Sequence, residues 1–421
     1  MAALAVNKAG RYFEKNGKPF FLLADTVWSA FTNIREEEWK EYLSVRKSQG
    51  FNGIQINCLP QWDRGESSLN LLPYALKEDG SWDYDSVNEA YFDHAEKLCA
   101  MAKEAGFELE LVLLWCNYVP GTWANAFQKH STIPEERLDE VLNLLLDRFE
   151  KYEPVYFIGG DTDFPEEDTV RYYRRAFDLL EERGSSGLKT IHIKGRFTDV
   201  PDELYRRMDF AMYQSGHNID GQADAWKNGE VMYEKGEKPV INGEPCYEEM
   251  GYSHCLYGRF GQNDIRKAAW QSVLSGASAG ITYGAHGIWN WVSKGMKTNL
   301  APGEGFLPPM PKEAALGFPG ARDYGFIHEL FDRYDLYGMK PAQEMIDLPY
   351  EEIRASKKDE LMAVYMPYNV SLKLKGSGWK EVLRIDLLTK ETEKAEWKET
   401  ENGMIIPMHE CLGDVLYLIY C

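Results

Sequence analysis

From Phe20 to about residue 335 the chain repeats one pattern: a short, nearly unbroken apolar run, then a longer stretch with apolar residues three and four apart. The first kind reads as a strand buried on both faces, the second as a helix with one face on a core. The strands, in order, are FFLLADTVW (20–28), GIQINCL (53–59), FELELVLLW (107–115), VYFIGGD (155–161), KTIHIKG (189–195), DFAMYQSG (209–216), KPVINGEP (238–245) and GITYGAHGIWNW (280–291). Helices are expected over 35–50, 91–106, 134–152, 169–184, 201–208, 222–236, 263–277 and 321–335. Several of them close on glycine, and Pro134 opens one where its missing N–H costs nothing. Eight strand–helix units in strict alternation predict an α/β fold, a closed parallel (β/α)8 TIM barrel. A doubly wound open sheet fits less well, because no glycine-rich phosphate loop follows the first strand.

After about residue 345 the rhythm changes. Short alternating runs at 362–367, 370–376, 381–389, 393–400 and 414–421 are separated by turn residues. They predict a barrel domain over 1–345 and a small antiparallel β-sandwich over 346–421. The second unit carries no acidic pair or histidine cluster, so it reads as a prop for the barrel.

Composition narrows the function. A formal net charge of −20 argues against nucleic acid and anionic membrane surfaces as partners. No apolar run approaches the eighteen or so residues of a membrane span. The N-terminus lacks the basic and apolar regions of a signal peptide, and the seven cysteines are scattered without a CxxC pair. A cytoplasmic protein with reduced thiols is the expectation; the oligomeric state stays open. Cys246 reads as a small buried filler, and the acid run at 35–42 as a solvated helix face.

In a barrel the chemistry lies at the C-terminal ends of the strands. Those ends carry Asp25 and Trp28, Asn57, Trp115, Asp161, His192, Gln214 with His217, Glu244 with Tyr247, and His286 with Trp289 and Trp291. Carboxylates, amides, imidazoles and flat aromatics together suit a sugar, whose hydroxyls want polar partners and whose ring face wants an aromatic surface. Two acids stand out: Asp161 after paired glycines on strand four, and Glu244 before proline on strand seven. Strands four and seven face each other across a barrel mouth, and two opposed carboxylates are the minimum machinery for glycoside hydrolysis. Each has a plainer reading, Asp161 as a turn or capping residue and Glu244 as a cap. Asp25 has two readings of equal weight, a contact to a substrate hydroxyl or a pin for the first loop. His192 and His217 divide similarly between substrate contact and satisfied core histidine. Of the tryptophans, at least one of Trp289 and Trp291 should line the mouth, both facing one side if the last strand runs through them.

LADTVW, GFNGIQIN, YFIGGD, MYQSGH, INGEPCYE and WQSVLSGASAGITYGAHGIWNW together resemble the apiosidase-like glycoside hydrolases, family 140 and its relatives, along roughly residues 8–340. The resemblance implies a retaining barrel enzyme, with Asp161 as general acid/base and Glu244 as nucleophile, and a β-linked apiose from plant glycosides as substrate. No cofactor or metal is expected, and Tyr247, three residues after Glu244, reads as a partner orienting it by a hydrogen bond. Two departures bear on the sugar: Ile193 stands where a proline after His192 is expected, and the last strand ends in GIWNWV. A metal-dependent sugar isomerase using Asp161, His192, His217 and Glu244 is a rival reading, as is a sugar-binding barrel without catalysis.

Overall fold

The computed structural model describes residues 3–67, 69–296 and 306–421. Eight parallel strands form the central sheet: β1 Leu22–Thr26, β2 Gly53–Asn57, β3 Glu108–Trp115, β4 Val155–Gly160, β5 Lys189–Thr190, β6 Ala211–Gln214, β7 Val240–Glu244 and β8 Gly280–Tyr283. They neighbour one another in the order β5-β4-β3-β2-β1-β8-β7-β6, a nearly closed TIM-like barrel. The seam between β5 and β6 is stitched by Asp209 N–H to the Lys189 carbonyl at 2.7 Å and Thr190 Oγ1 to the Phe210 carbonyl at 2.8 Å. The covering helices are α1 Glu36–Ser48, α2 Glu89–Glu104, α3 Glu135–Phe149, α4 Glu167–Glu182, α5 Asp202–Arg207, α6 Asp224–Lys235, α7 Gln262–Val273 and α8 Gly320–Tyr334. On α1 the acidic side chains of 36–38 serve as its first turn, while Trp39 and Tyr42 on the same run are buried, so 35–42 is more than a solvated face.

Every strand is shorter than its expected run, β5 and β8 most of all. β5 stops at Thr190, with only an isolated bridge from Ile193 to Thr162 beyond it. β8 stops at Tyr283, with only an isolated bridge from Ala285 to Glu248 beyond it before the chain turns over 286–291; a Cβ at Gly284 would lie 2.1 Å from the Tyr247 ring, so that ring packs directly on the strand end. A hairpin that the apolar pattern does not reveal, Phe13–Lys15 with Lys18–Phe20, turns on Asn16 and Gly17 at φ 54° and 71°, an Asn-Gly pair of the kind that favours such turns.

The C-terminal strands are β9 Lys340–Pro341, β10 Arg354–Lys358, β11 Leu361–Met366, β12 Leu372–Lys375, β13 Glu381–Asp386, β14 Thr392–Lys394, β15 Lys398–Thr400, β16 Gly403–Ile406 and β17 Val415–Tyr420. They make a six-stranded antiparallel sheet, β9-β10-β11-β17-β13-β14, and a three-stranded one, β12-β16-β15. The run expected as one strand over 393–400 therefore divides between two sheets. β17 shows why VLYLIY is apolar throughout: Val415, Tyr417 and Ile419 pack with the smaller sheet, and Leu416 and Leu418 with the barrel core. A strand covered on both faces needs no polar alternation. Arg266 of α7 crosses this junction, its Nε 3.0 Å from both Asp414 oxygens and its Nη1 2.7 Å from Asp323.

Candidate active site

The C-terminal ends of the strands open onto a cavity of about 290 Å³, near the lower end of the roughly 300–1,000 Å³ typical of ligand pockets. Trp28, Trp115, Asp161 and Gln214 line it, as do His217, Glu244, Tyr247 and Trp289.

Glu244 is the last residue of β7, and only 7 % of its surface is exposed. Asn242, two residues earlier, anchors the strand end: its Nδ2 donates to Ser215 Oγ at 2.9 Å and Ser272 Oγ at 3.0 Å, and its Oδ1 accepts the Glu244 N–H at 3.3 Å. Two imidazoles then converge on the carboxylate. His217 accepts the Tyr247 N–H on Nδ1 at 3.4 Å, so its proton sits on Nε2, 2.9 Å from Glu244 Oε1. His192 accepts the Asp161 N–H on Nδ1 at 3.4 Å; its Nε2 faces Gln214 Oε1 at 3.1 Å and Glu244 Oε2 at 3.4 Å. Burial lowers the His192 pKa and outweighs the opposite pull of Glu244 and Gln214, so the ring donates as a neutral imidazole. The Tyr247 hydroxyl is a third donor to Glu244; burial first, and then the Glu244 charge, hold its pKa well above the ordinary value. It accepts Trp28 Nε1–H at 3.3 Å in turn. Donors on a carboxylate favour its charged form and fix its orientation.

Asp161 reaches the cavity just past β4, at φ 49°. A Cβ on Gly160 would lie 2.2 Å from the Trp115 ring, so the glycine is what lets that indole lie along the strand end. Trp123 Nε1 donates to the Asp161 carbonyl at 2.7 Å, and its backbone N–H reaches Asp163 Oδ1 at 3.1 Å. Lys194 holds the other Asp163 oxygen at 2.5 Å. One imidazole, His192, thus touches the Asp161 backbone with one nitrogen and the Glu244 carboxylate with the other.

Five expected contact residues lie outside the cavity wall. Asp25 points away from it, because side chains alternate along a strand and Asp25 faces α1; its carboxylate is bound by Arg46 Nε at 2.5 Å and Tyr42 OH at 2.8 Å. It is the pin rather than the substrate contact. Asn57 is buried beneath the site and donates to Gln61 Oε1 at 2.7 Å. His192 sits behind Glu244, its ring stacked on Trp28 at 5.7 Å. His286 is fully enclosed, its pKa pushed down to about 3 by burial and, less, by Arg259. Trp291 does not share a side with Trp289, since the chain is no longer a strand there; it packs edge-on against Tyr42 and under Lys312. Cavity residues absent from the expected set include Gln61 and Asp63 after β2, Trp123, Lys194, Arg196 and Phe306. All lie in loops, where no hydrophobic period marks them. Among the described residues no group of three or more His, Cys, Asp or Glu is placed to hold a metal ion, and no helix is long and apolar enough to cross a membrane.

A model of the apiosidase-like catalytic domain matches residues 7–338. The chain belongs to the apiosidase-like family. As a member it is a glycosidase, and its neighbours among solved structures share the barrel. A glycoside hydrolase aligns over 100 % of this chain and 97 % of its own, at 21 % identity and a TM-score of 0.80. A glycoside hydrolase family 5 protein from Bacteroides vulgatus ATCC 8482 aligns over 99 % and 93 %, also at 21 % identity and a TM-score of 0.80. No curated protein matches the chain. In the apiosidase-like chain, Asp161 and Glu244 both fall within the matched domain, on the fourth and seventh barrel strands' ends.

Proposed function

We propose that this enzyme is a retaining exo-acting glycosidase that removes a terminal pentofuranosyl residue, β-apiose first among them, from small plant-derived glycosides. The observation that carries the reading is the setting of Glu244: a cavity carboxylate gripped by His217, His192 and Tyr247, with a second carboxylate, Asp161, on the same cavity. Glu244 attacks the anomeric carbon while Asp161 protonates the departing oxygen; the bond from sugar to aglycone breaks as the glycosyl–Glu244 ester forms. Asp161, now a carboxylate, takes a proton from water, which attacks the ester and frees both the sugar and Glu244. The small cavity supports release of single residues, and Trp28, Trp115 and Trp289 offer flat apolar surface to a sugar ring.

The test is turnover of aryl apioside, arabinofuranoside, xyloside and glucoside by wild type, E244Q and D161N, with the product anomer read by NMR and each assay repeated in EDTA. Hydrolysis with retained configuration, insensitive to EDTA, abolished in E244Q and reduced about 10²- to 10⁴-fold in D161N is expected. Inverted product would remove the nucleophile role from Glu244. Activity on free sugars that EDTA abolishes would replace the reading with a metal-dependent isomerase, and tight sugar binding without turnover would replace it with a binding barrel.

A further inference from the structure

Three buried polar atoms on the cavity wall find no hydrogen-bond partner among the described residues: Gln61 Nε2, Asp63 Oδ1 and Trp289 Nε1. Gln61 is 1 % exposed and Trp289 5 % exposed. They come from the loops after β2 and β8, the two strands that flank β1, so they share one side of the mouth. The grip on Glu244, by contrast, is delivered by His192 and His217 from the β5 and β6 side. Gln61 is held in place, because its Oε1 accepts from Asn57 Nδ2 at 2.7 Å, and its N–H₂ group is the edge left unpaired. Buried donors and acceptors left in this state are disfavoured unless something completes them. Two N–H donors and a carboxyl group together match adjacent hydroxyls of a sugar, which accept from the former and donate to the latter.

We propose that Gln61, Asp63 and Trp289 form the shelf that binds adjacent ring hydroxyls of the glycon and so sets which sugar the enzyme accepts. This deepens the glycosidase reading and rests on it. Asp63 is a binding residue here and takes no part in bond cleavage. Its surroundings fit that role. Burial, and then the Glu244 charge across the cavity, raise its carboxyl to about 7, so below neutral pH it is mostly, and at neutral pH about half, an uncharged acid that can donate as well as accept. The groups that face it are Glu244 from β7, Cys116 after β3 and Arg64 on its own loop. A second full carboxylate beside a nucleophile would oppose the glycosyl transfer; a neutral one does not.

The experiment compares kcat/KM for the panel's best aryl glycoside and for its 2-deoxy and 3-deoxy analogues in wild type, D63A, D63N and W289F, after circular dichroism melts confirm folding. Expected are losses of roughly 10- to 100-fold for D63A and W289F on the parent, less than about threefold on whichever deoxy analogue lacks the bound hydroxyl, and substantial recovery in D63N, the isostere of the neutral acid. Equal losses on parent and both analogues, or no loss on any, would overturn the shelf while leaving the nucleophile assignment to E244Q. Should wild type hydrolyse nothing in the panel, calorimetric titration with apiose and with xylose reads the shelf directly. Binding that D63A and W289F weaken supports it; binding that they leave unchanged, or no binding to wild type, overturns it.

Discussion

Asp25 offers the sharpest test of how the site is bounded, because its sequence context pointed equally to substrate and to structure. Asp25 and Arg46 have no exposed side-chain surface and meet at 2.5 Å. Burial works against the Arg46 charge, and the Asp25 carboxylate beside it outweighs that, so the guanidinium is held above its ordinary pKa. Asp25→Asn leaves that cation enclosed without a counter-charge. Removing one partner of a buried pair costs about 3–5 kcal/mol. With an unfolding entropy of about 2.1 cal/mol/K per residue, a chain of 421 residues loses roughly 1 °C of melting temperature per kcal/mol. The expected fall for D25N is therefore about 3–6 °C by circular dichroism, with KM at 20 °C unchanged. The double variant D25L/R46M, which removes both charges, should melt above D25N, since paired apolar replacements of buried ions are often neutral or stabilising. An unchanged melting temperature together with a raised KM would refute the structural role and return Asp25 to the substrate.

Further outcomes follow from the same structure. His217→Ala removes a charge-assisted hydrogen bond on Glu244, so under the proposed mechanism kcat should fall about 10- to 100-fold; an unchanged kcat would show that His217 does not support the proposed nucleophile. Gly160→Ala places a Cβ against the Trp115 ring, and kcat/KM should drop at least tenfold for a stability cost of about 1–3 kcal/mol; wild-type kinetics would show that Trp115 yields freely. Glu110 on β3 is buried with Gln55 Nε2 at 2.9 Å, and burial raises its carboxyl to about 8. The folded chain thus holds a proton that the unfolded chain releases above about 4.3, so stability present at low pH is lost as pH rises from there through about 8. Glu110→Gln should flatten the decline of melting temperature between pH 6 and 9; parallel curves for the two proteins would contradict this. Arg266→Met strands Asp414 and Asp323 at the barrel–sheet junction and should cost about 3–5 kcal/mol, measured by urea unfolding.

The barrel was legible because each of its strands is an apolar run long enough to stand out and each is followed by a helix-period stretch. That Glu244 and Asp161 stand at the cavity was legible for a derived reason: topology aims strand ends at the mouth whatever the loops do. What a strand's outline does not disclose is which way a residue within it faces, and Asp25 shows the cost. Nor does it disclose where the strand ends. Trp289 and Trp291 alternate as neighbours on one face of a strand would, but the chain turns over 286–291, and only Trp289 reaches the cavity. Gln61 and Asp63 sit in CLPQWDRG, an irregular loop with no period to mark them. Their significance comes from hydrogen bonds they lack, and those are visible only once the neighbours are in place. The Asn16-Gly17 hairpin is different: its turn signal stands in the sequence, but the flanking apolar runs are too short to mark strands.

The seam between β5 and β6 has a mechanical consequence. β4, which presents Asp161, is one strand in from one edge of the rolled sheet; β7, which presents Glu244, is one strand in from the other. The two carboxylates ride on opposite jaws of a caliper whose gap is set by how tightly the seam is fastened. Near the mouth the fasteners are the His192–Gln214 contact at 3.1 Å and the Arg196 N–H to the Gln214 carbonyl at 3.3 Å. The distance between paired carboxylates decides between direct attack and attack through water in glycosidases, and Gln214 ties together the two edges from which Asp161 and Glu244 reach the cavity.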